Sequence, residues 1–580
     1  MSRRSLYKGR KDGGGGAGGI LSNSSSRAAS ASRTPMEDSD DEGEFEEQDL
    51  MRIEEILKEK LGNLNQQDMG EVAKEDRISA GDRRQHEAHL LNSKRIQENS
   101  NIKDIITSLT FSRSDISSQS RELLLAQLYK IIVSKPLVLY NEENAGNRAN
   151  YVDDDVVMTL INQLTSGNYR SETEFLYLFR SLIALVCSDI EEFGNLVSND
   201  LLSHIEHLIT EPANSIVTAE NKANVISGFT VLTLILYNGS SSFGVDDRVN
   251  MLMEIAEGYS ESATALQREV ETGDREHATF ITDKNLDKKL VNEAMAKVSA
   301  EASVAMAALH GVACLSTLMR RGEYMNKVSE DLMLKLVPLL DNDESRDIAK
   351  AAGRAIAVIY ELYDYGREDA ADAQAQGDTY QYGDDIDDPD YNVNSPYYEQ
   401  EALKSVLSRL VNLSSKKVSK KDKRQVSSVF RSILNTIDLY TDNDKREQVY
   451  RGTQEGNELL NSVSDTSFIK LSKYKSLKIN SWFLFVRLKL LKWCFSFGLH
   501  SQISSNESVR DVLKEPENEY SYGSNVGRAG IDDLLYDTQE ALNDYMDQKY
   551  AADEKSRNER RKKERLAKLD DQLEELNLSK

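Results

Sequence analysis

AMAALHGVACL at residues 305–315 and AKAAGRAIAVI at 349–359 decide how the chain is read. Both runs set Ala and Gly among larger apolar residues, and neither contains proline. Small side chains at this density let one helix approach another closely. Outward from these runs, apolar residues recur at helical spacing in one segment after another. Ile102, Ile105, Ile106 and Leu109 share one face. Leu124, Leu125, Leu128, Ile131 and Ile132 share the next, which ends at Lys135–Pro136. The same period predicts helices over Val156–Leu164, Glu174–Val186, Leu201–Ile209, Asn221–Tyr237, Val249–Ala256, Leu290–Arg320, Ser329–Leu340 and Ser345–Tyr363. After a break it resumes over Glu399–Leu413, Val426–Tyr440 and Asn480–Leu499.

Short turns of Gly, Asn, Ser or Asp join these helices, and alternating strand patterns with hairpin turns do not recur. The expected fold is therefore all-α. Amphipathic helices of 12–20 residues in close succession cannot each bury a face alone; stacking them in pairs buries a continuous core. The pattern predicts an irregular armadillo/HEAT-like α-solenoid, although no fixed repeat period emerges.

Composition narrows the class further. The chain has 580 residues, a formal net charge of −25, 29% charged and 39% apolar residues, with a mean hydropathy of −0.54. Only 7 residues are proline, against a usual share of about 5%, which argues against a Pro-rich linker protein. Cys187, Cys314 and Cys494 lie far apart and form no CxxC motif, so a reducing compartment is expected. No apolar core of a signal peptide is visible in the first 40 residues. No uncharged apolar run is read as long enough for a membrane span, so no membrane partner is expected.

The chain is expected to divide at shifts in composition. Residues 1–50 read as a disordered tail, basic over Ser2–Arg33 and acidic over Glu37–Asp49. Ser39, in EDSDDEGE, is a phosphorylation candidate for an acidophilic kinase. Residues 51–100 form a polar helical lead-in, and 101–363 the main helical domain. Residues 364–398 read as an acidic, Tyr-rich loop: 371–400 hold eight Asp/Glu, five Tyr and no Lys/Arg. Residues 399–475 continue the solenoid, 476–515 form a C-terminal domain, 516–530 a linker, and 531–580 a basic terminal helix.

No catalytic motif is present. GGGGAGG at 13–19 lacks the Lys-Ser/Thr of a phosphate loop, and there is no GxSxG. His204 and His207, like His86 and His89, are three residues apart on helical sequence, but no further ligand follows at metal-binding distance. No enzyme, metal, cofactor or small-molecule substrate is expected.

Against so acidic a background, basic islands stand out. Lys416, Lys417, Lys420, Lys421, Lys423 and Arg424 crowd into KKVSKKDKR. This pattern fits a nuclear import signal, a contact to phosphates, or a solvated helix start. Lys555, Arg557, Arg560, Arg561, Lys562, Lys563, Arg565 and Lys568 lie in KSRNERRKKERLAK, which has high helix propensity. A basic helix on an acidic body is an electrostatic hook for a polyanion such as RNA, and its binding weakens with salt as counterions are released. The third island, WFLFVRLKLLKWCFSFGL at 482–499, puts Lys489, Lys492 and Ser496 on one stripe of an otherwise apolar helix. It reads as a core helix, with both Trp residues forming a terminal cap of the solenoid; the other reading is a helix on a membrane surface.

Four stretches resemble the interferon-related developmental regulator family. Within SKKVSKKDKRQVSSVFRSIL at 415–434, Lys420, Lys421, Asp422, Gln425, Phe430, Arg431, Ile433 and Leu434 match its basic motif. AAGRAIAVIYE at 351–361 is similar to a family helix that carries Glu where this chain has Arg354. Leu109–Leu125 is similar to its first helix-turn-helix. Leu477–Arg510 is similar to its C-terminal domain, with Gly498, Gln502, Ile503, Asn506, Val509 and Arg510 in place. The resemblance extends over about residues 100–515. It implies an armadillo-like, non-enzymatic regulator of gene expression, cytoplasmic and nuclear, whose partners are protein complexes. One implied activity is docking on translationally inactive ribosomes, with a basic C-terminal helix in the mRNA path. The other is transcriptional co-regulation with corepressor and deacetylase complexes. A basic helix on an acidic body favours the first.

Overall fold

The computed structural model describes residues 101–113, 116–239, 244–272, 284–341, 345–365, 395–412, 420–442, 445–446, 467–470, 476–479 and 481–514. Among the described residues, six helix pairs follow one another. They are α1 (Ile102–Leu109) with α2 (Ser118–Ser134), α4 (Asp154–Thr165) with α5 (Glu172–Ser188), and α7 (Asn199–Thr210) with α8 (Ala219–Tyr237). Then come α9 (Val245–Thr272) with α10 (Lys284–Ser316), α11 (Glu323–Leu340) with α12 (Arg346–Leu362), and α13 (Gln400–Val411) with α14 (Lys420–Thr441). Short helices α3 (Leu137–Asn144) and α6 (Ile190–Phe193) lie between pairs.

The second members pack side by side into an inner row, α2 on α5, then α8, α10, α12 and α14, and the first members form the outer layer. The fold is an all-α solenoid. Its inner helices begin at residues 118, 172, 219, 284, 346 and 420. This uneven spacing reflects inserted short helices and long connections, and it hides any period in the sequence.

Local chemistry sets many of the helix starts. Ser117, Asp153, Ser171, Ser198 and Thr218 each accept, through the side-chain oxygen, the backbone N–H three residues on. That satisfies one of the orphan donors at a helix N-terminus. Two helices run longer than their apolar pattern suggests. The periodicity predicts Val249–Ala256, yet α9 continues to Thr272, and α10 begins at Lys284 rather than Leu290. The two pair along their length, and tertiary pairing sustains helix where local pattern is weak.

Lys289–Ser316 is, contrary to the sequence reading, long and apolar enough to cross a membrane by length and composition, with 72% of its window buried inside the fold. An inner helix touched by α8, α9 and α12 is apolar on most sides because neighbours cover it. One short antiparallel ladder is added to the expected helices: β1 (Ser467–Lys470) pairs with β2 (Ser476–Ile479), Phe468 opposite Lys478.

A buried ion cluster ties the first two pairs together. Glu174 accepts hydrogen bonds from Arg113 (2.8 and 3.2 Å), the Arg121 Nε (2.9 Å) and the Arg170 amide (3.0 Å). Arg121 also donates to the Leu109 carbonyl at 2.8 Å. Burial alone would raise the Glu174 carboxyl, but the bonds from Arg113, Arg170 and Arg121 hold it below the usual carboxylate range. A depressed folded-state value means that the stabilisation is complete above the ordinary carboxylate range and fades as pH falls through the depressed value. Glu174→Gln is expected to cost about 3 kcal/mol at pH 7. Urea midpoints of the two proteins should converge as the pH is lowered below the carboxylate range; a gap independent of pH would refute the assignment.

Candidate functional site

The inner face of a solenoid is its natural binding surface. Here it carries the chain's own helix α15 (Trp482–Phe495), which lies against α5, α8, α10 and α12. The expected core helix is observed, but as a rod laid along the inner row rather than as a terminal cap. A covered inner face offers more apolar contact than the end of the spool could.

Both poles of α15 are capped by other helices. At its N-terminus the Glu361 carboxylate of α12 accepts the Trp482 and Phe483 amides, each at 2.9 Å, and Ser481 Oγ accepts the Leu484 amide at 3.2 Å. The first turn of α15 has no acid of its own; Glu361 supplies the negative charge that a helix N-terminus favours. At the C-terminus the Arg180 guanidinium of α5 donates to the Trp493 carbonyl at 2.9 Å and to Tyr129 Oη at 2.7 Å. Tyr129 of α2 in turn donates to the Cys494 carbonyl at 3.1 Å. A cation thus meets the negative pole.

Between the poles, buried Arg487 donates to Thr317 Oγ1 (2.8 Å), the Thr317 carbonyl (3.0 Å), Asn238 Oδ1 (3.0 Å) and the Val512 carbonyl (2.6 Å). It joins the end of α8 and the turn after α10 to α17 (Glu507–Val512), which follows α16 (Leu499–Ser505). The indole N–H of Trp482 reaches Thr436 Oγ1 at 2.7 Å, and that of Trp493 reaches Asn224 Oδ1 at 2.9 Å.

The residues that carry the family resemblance hold this helix. Glu361 ends the AAGRAIAVIYE run and meets the Ser-Trp start of the C-terminal run. Gly353 lets Phe430 and Ile433 of α14 approach; a Cβ there would lie 2.7 Å from Ile433 Cδ1. A Cβ on Gly498 would overlap the Val133 carbonyl. Gln502 donates to Ser188 Oγ at 3.2 Å, and Asn506 donates to the Ser188 carbonyl at 3.0 Å while capping α17 through Val509. Arg354, in the place of the family's Glu, lies over the Phe485 ring at 4.9 Å.

Only Phe485, Lys489 and Lys492 of α15 reach the surface, each partly. They stand four and three residues apart, on one stripe. Ser496, expected on that stripe, is buried in the turn after α15, with a φ of 44°. His310 of α10, the inner helix that packs against α15, is 8% exposed, and its Nε2 has no hydrogen-bond partner. Burial first, then Lys489 and Arg354, keep His310 well below the usual imidazole range, hence neutral.

The other sequence-predicted residues are scattered. Lys420, Lys421, Lys423 and Arg424 lie on the first turns of α14, and Lys416 and Lys417 lie outside the described residues. So do Ser39, His86, His89 and the whole cluster Lys555, Arg557, Arg560, Arg561, Lys562, Lys563, Arg565 and Lys568. His204 and His207 both sit on α7, where His207 pairs with Glu211 at 3.4 Å. Among the described residues no three metal-type side chains converge. Cys187 and Cys494, far apart in sequence, come together across α5 and α15 as buried free thiols, and burial pushes Cys187 well up.

Sequence reasoning missed Arg180, Glu361 and Arg487 as a set. The available signal was a charge inside an apolar run, Arg180 alone in FLYLFRSLIALV and Arg487 in WFLFVRLKLL; such a charge is almost never buried unless paired.

Comparison with curated proteins finds no match for this chain. The family model for the interferon-related developmental regulators matches residues 74–438. The match starts earlier than the resemblance read from motifs and stops before Leu477–Arg510, whose likeness rests on its own residues and on its seat against the matched helices. With well over half its length matched, the chain belongs to the interferon-related developmental regulator family, regulators of gene expression not known for enzymatic activity.

Proposed function

We propose that this protein is a non-enzymatic regulator that docks on ribosomes and their RNA and restrains translation, using the basic segment Lys555–Lys568 as its hook. The observation that carries this reading is the occupied inner face. α15 fills the surface on which a solenoid would hold an extended peptide, so contact with a large partner falls to the outer surfaces and the charged segments. Of these, Lys555–Lys568 has the strongest charge reversal, eight Lys/Arg against two Glu in a chain of net charge −25. Such a segment binds RNA by neutralising phosphates.

The test is sedimentation of the full chain with ribosomes over a salt series. Replacing the eight cations by Gln is expected to weaken association by about tenfold or more and to flatten the salt dependence, which steepens by roughly 0.7–0.9 log units per phosphate neutralised. Unchanged sedimentation of that variant overturns the reading. A second reading, a nuclear scaffold for corepressor and deacetylase complexes, is favoured by the basic cluster Lys416–Arg424 in the sequence. It requires nuclear accumulation that is lost when those six cations become Ala.

A further inference from the structure

We infer that the first turns of α10, with the last turns of α9 beside them, form a docking surface for the chain's own leucine stripe Leu566, Leu569, Leu573 and Leu576, which lies beyond the described residues. At 33 residues α10 is about 50 Å long, whereas its inner-row neighbours α8 and α12, of 19 and 17 residues, reach less than about 30 Å. Its first half therefore runs past the row, paired with α9. Burial follows that overhang. From Lys289 to Lys297 no residue of α10 is buried, and the first buried residue among those described is Val298. Of the eight large apolar residues exposed among the described residues, three fall in this stretch: Leu290 and Val291 at 49% and Met295 at 41%. On α9, Leu266 and Val270 are likewise only partly buried. Apolar side chains gathered on a two-helix overhang form the surface into which an amphipathic helix packs.

The leucine stripe has the pattern, the charge and the reach to cover it. Its 3-4-3 spacing sets four leucines on one side of a helix. Residues 569–576 carry two Asp, two Glu and no cation, whereas 284–297 carry four Lys against one Asp and one Glu. Arg487 ties Val512 to Thr317, just past the C-terminal end of α10. From Thr317 back to Val291 the distance is about 40 Å at 1.5 Å per residue. About 50 residues separate Lys514 from Leu566, and a linker of that length spans about 40 Å even as a random coil. A linker matched to its span gives the tethered segment a high effective concentration. A second copy has no such tether, and two bodies of net charge −25 repel each other.

Hydrogen exchange read by mass spectrometry on the full chain tests the docking. Leu569→Asp with Leu573→Asp is expected to speed exchange of the amides in 289–297 by about tenfold and to leave those of α5 unchanged. Val291→Asp with Met295→Asp probes the same contact from the other side. Its readout is the anisotropy of a fluorescein attached through Asn577→Cys, a selective label because Cys187, Cys314 and Cys494 are all buried. That anisotropy should fall as the tail is released. Leu573→Met keeps the apolar stripe and should leave both readouts as they are. Faster exchange in α5 identifies a solenoid variant that has lost its fold, and the tail variant, whose substitutions lie outside the solenoid, then decides. Exchange at 289–297 that ignores the leucine substitutions overturns the inference. So does protection that grows with protein concentration, which would make a second copy the occupant. Replacing the eight cations of Lys555–Lys568 by Gln leaves the leucines in place and should not alter exchange at 289–297, so the docking and the hook can fail separately.

Discussion

Arg487→Ala is expected to destabilise the protein by about 3–5 kcal/mol, the largest single-residue effect outside the apolar core. Arg487 is buried and donates to four acceptors from three parts of the chain: Thr317 twice, Asn238 and Val512. Two of these acceptors are carbonyl oxygens near the ends of α10 and α17, where helix dipoles leave partial negative charge. Truncation to Ala strips all four acceptors at once and leaves a cavity against Phe483, whose ring lies 4.1 Å from the guanidinium carbon. Arg487→Lys keeps the charge but not the fork of donors, so it should recover only part of the loss. The measurement is the denaturant midpoint of each variant. A cost for Arg487→Ala under about 1 kcal/mol would mean that α15 is not anchored this way.

Glu361→Ala should cost about 3 kcal/mol and should act first on the seat of α15. It leaves the Trp482 and Phe483 amides buried without acceptors and removes the charge matched to the helix N-terminus. Glu361→Gln is a sharper probe: its one oxygen can accept one amide, while its NH2 faces the other donor. Both tryptophans of the chain sit on α15, so their emission reports this helix alone. In a denaturant series the Glu361→Ala protein is expected to show a red shift in tryptophan emission before its helical circular dichroism falls. Coincident transitions at the unmodified midpoint would rule out Glu361 as the clasp.

Much of this architecture was legible in the chain. The 3.6-residue period located nearly every helix, because an amphipathic face is written locally. Gly353 and the Ala-rich runs pointed to close helix contacts, which the packing of Phe430 and Ile433 explains. The end of α9 was not legible, since its polar second half stays helical only through α10. The uneven starts of the inner helices likewise concealed six pairs behind irregular insertions.

The seat of WFLFVRLKLLKWCF was beyond sequence reasoning for a different reason. Its composition says that it must be covered, but nothing in composition says by what. Glu361, Arg180 and Tyr129 lie more than 100 residues from the helix ends they cap, and no spacing rule links them.

By itself, then, the sequence determined an acidic, all-helical stack and its family, since period, small-residue packing and charge are properties of neighbouring residues. Only the tertiary structure decided that the stack closes over its own helix α15. That outcome depends on whether distant opposite charges and buried donors meet, and they meet only once the six pairs have lined up.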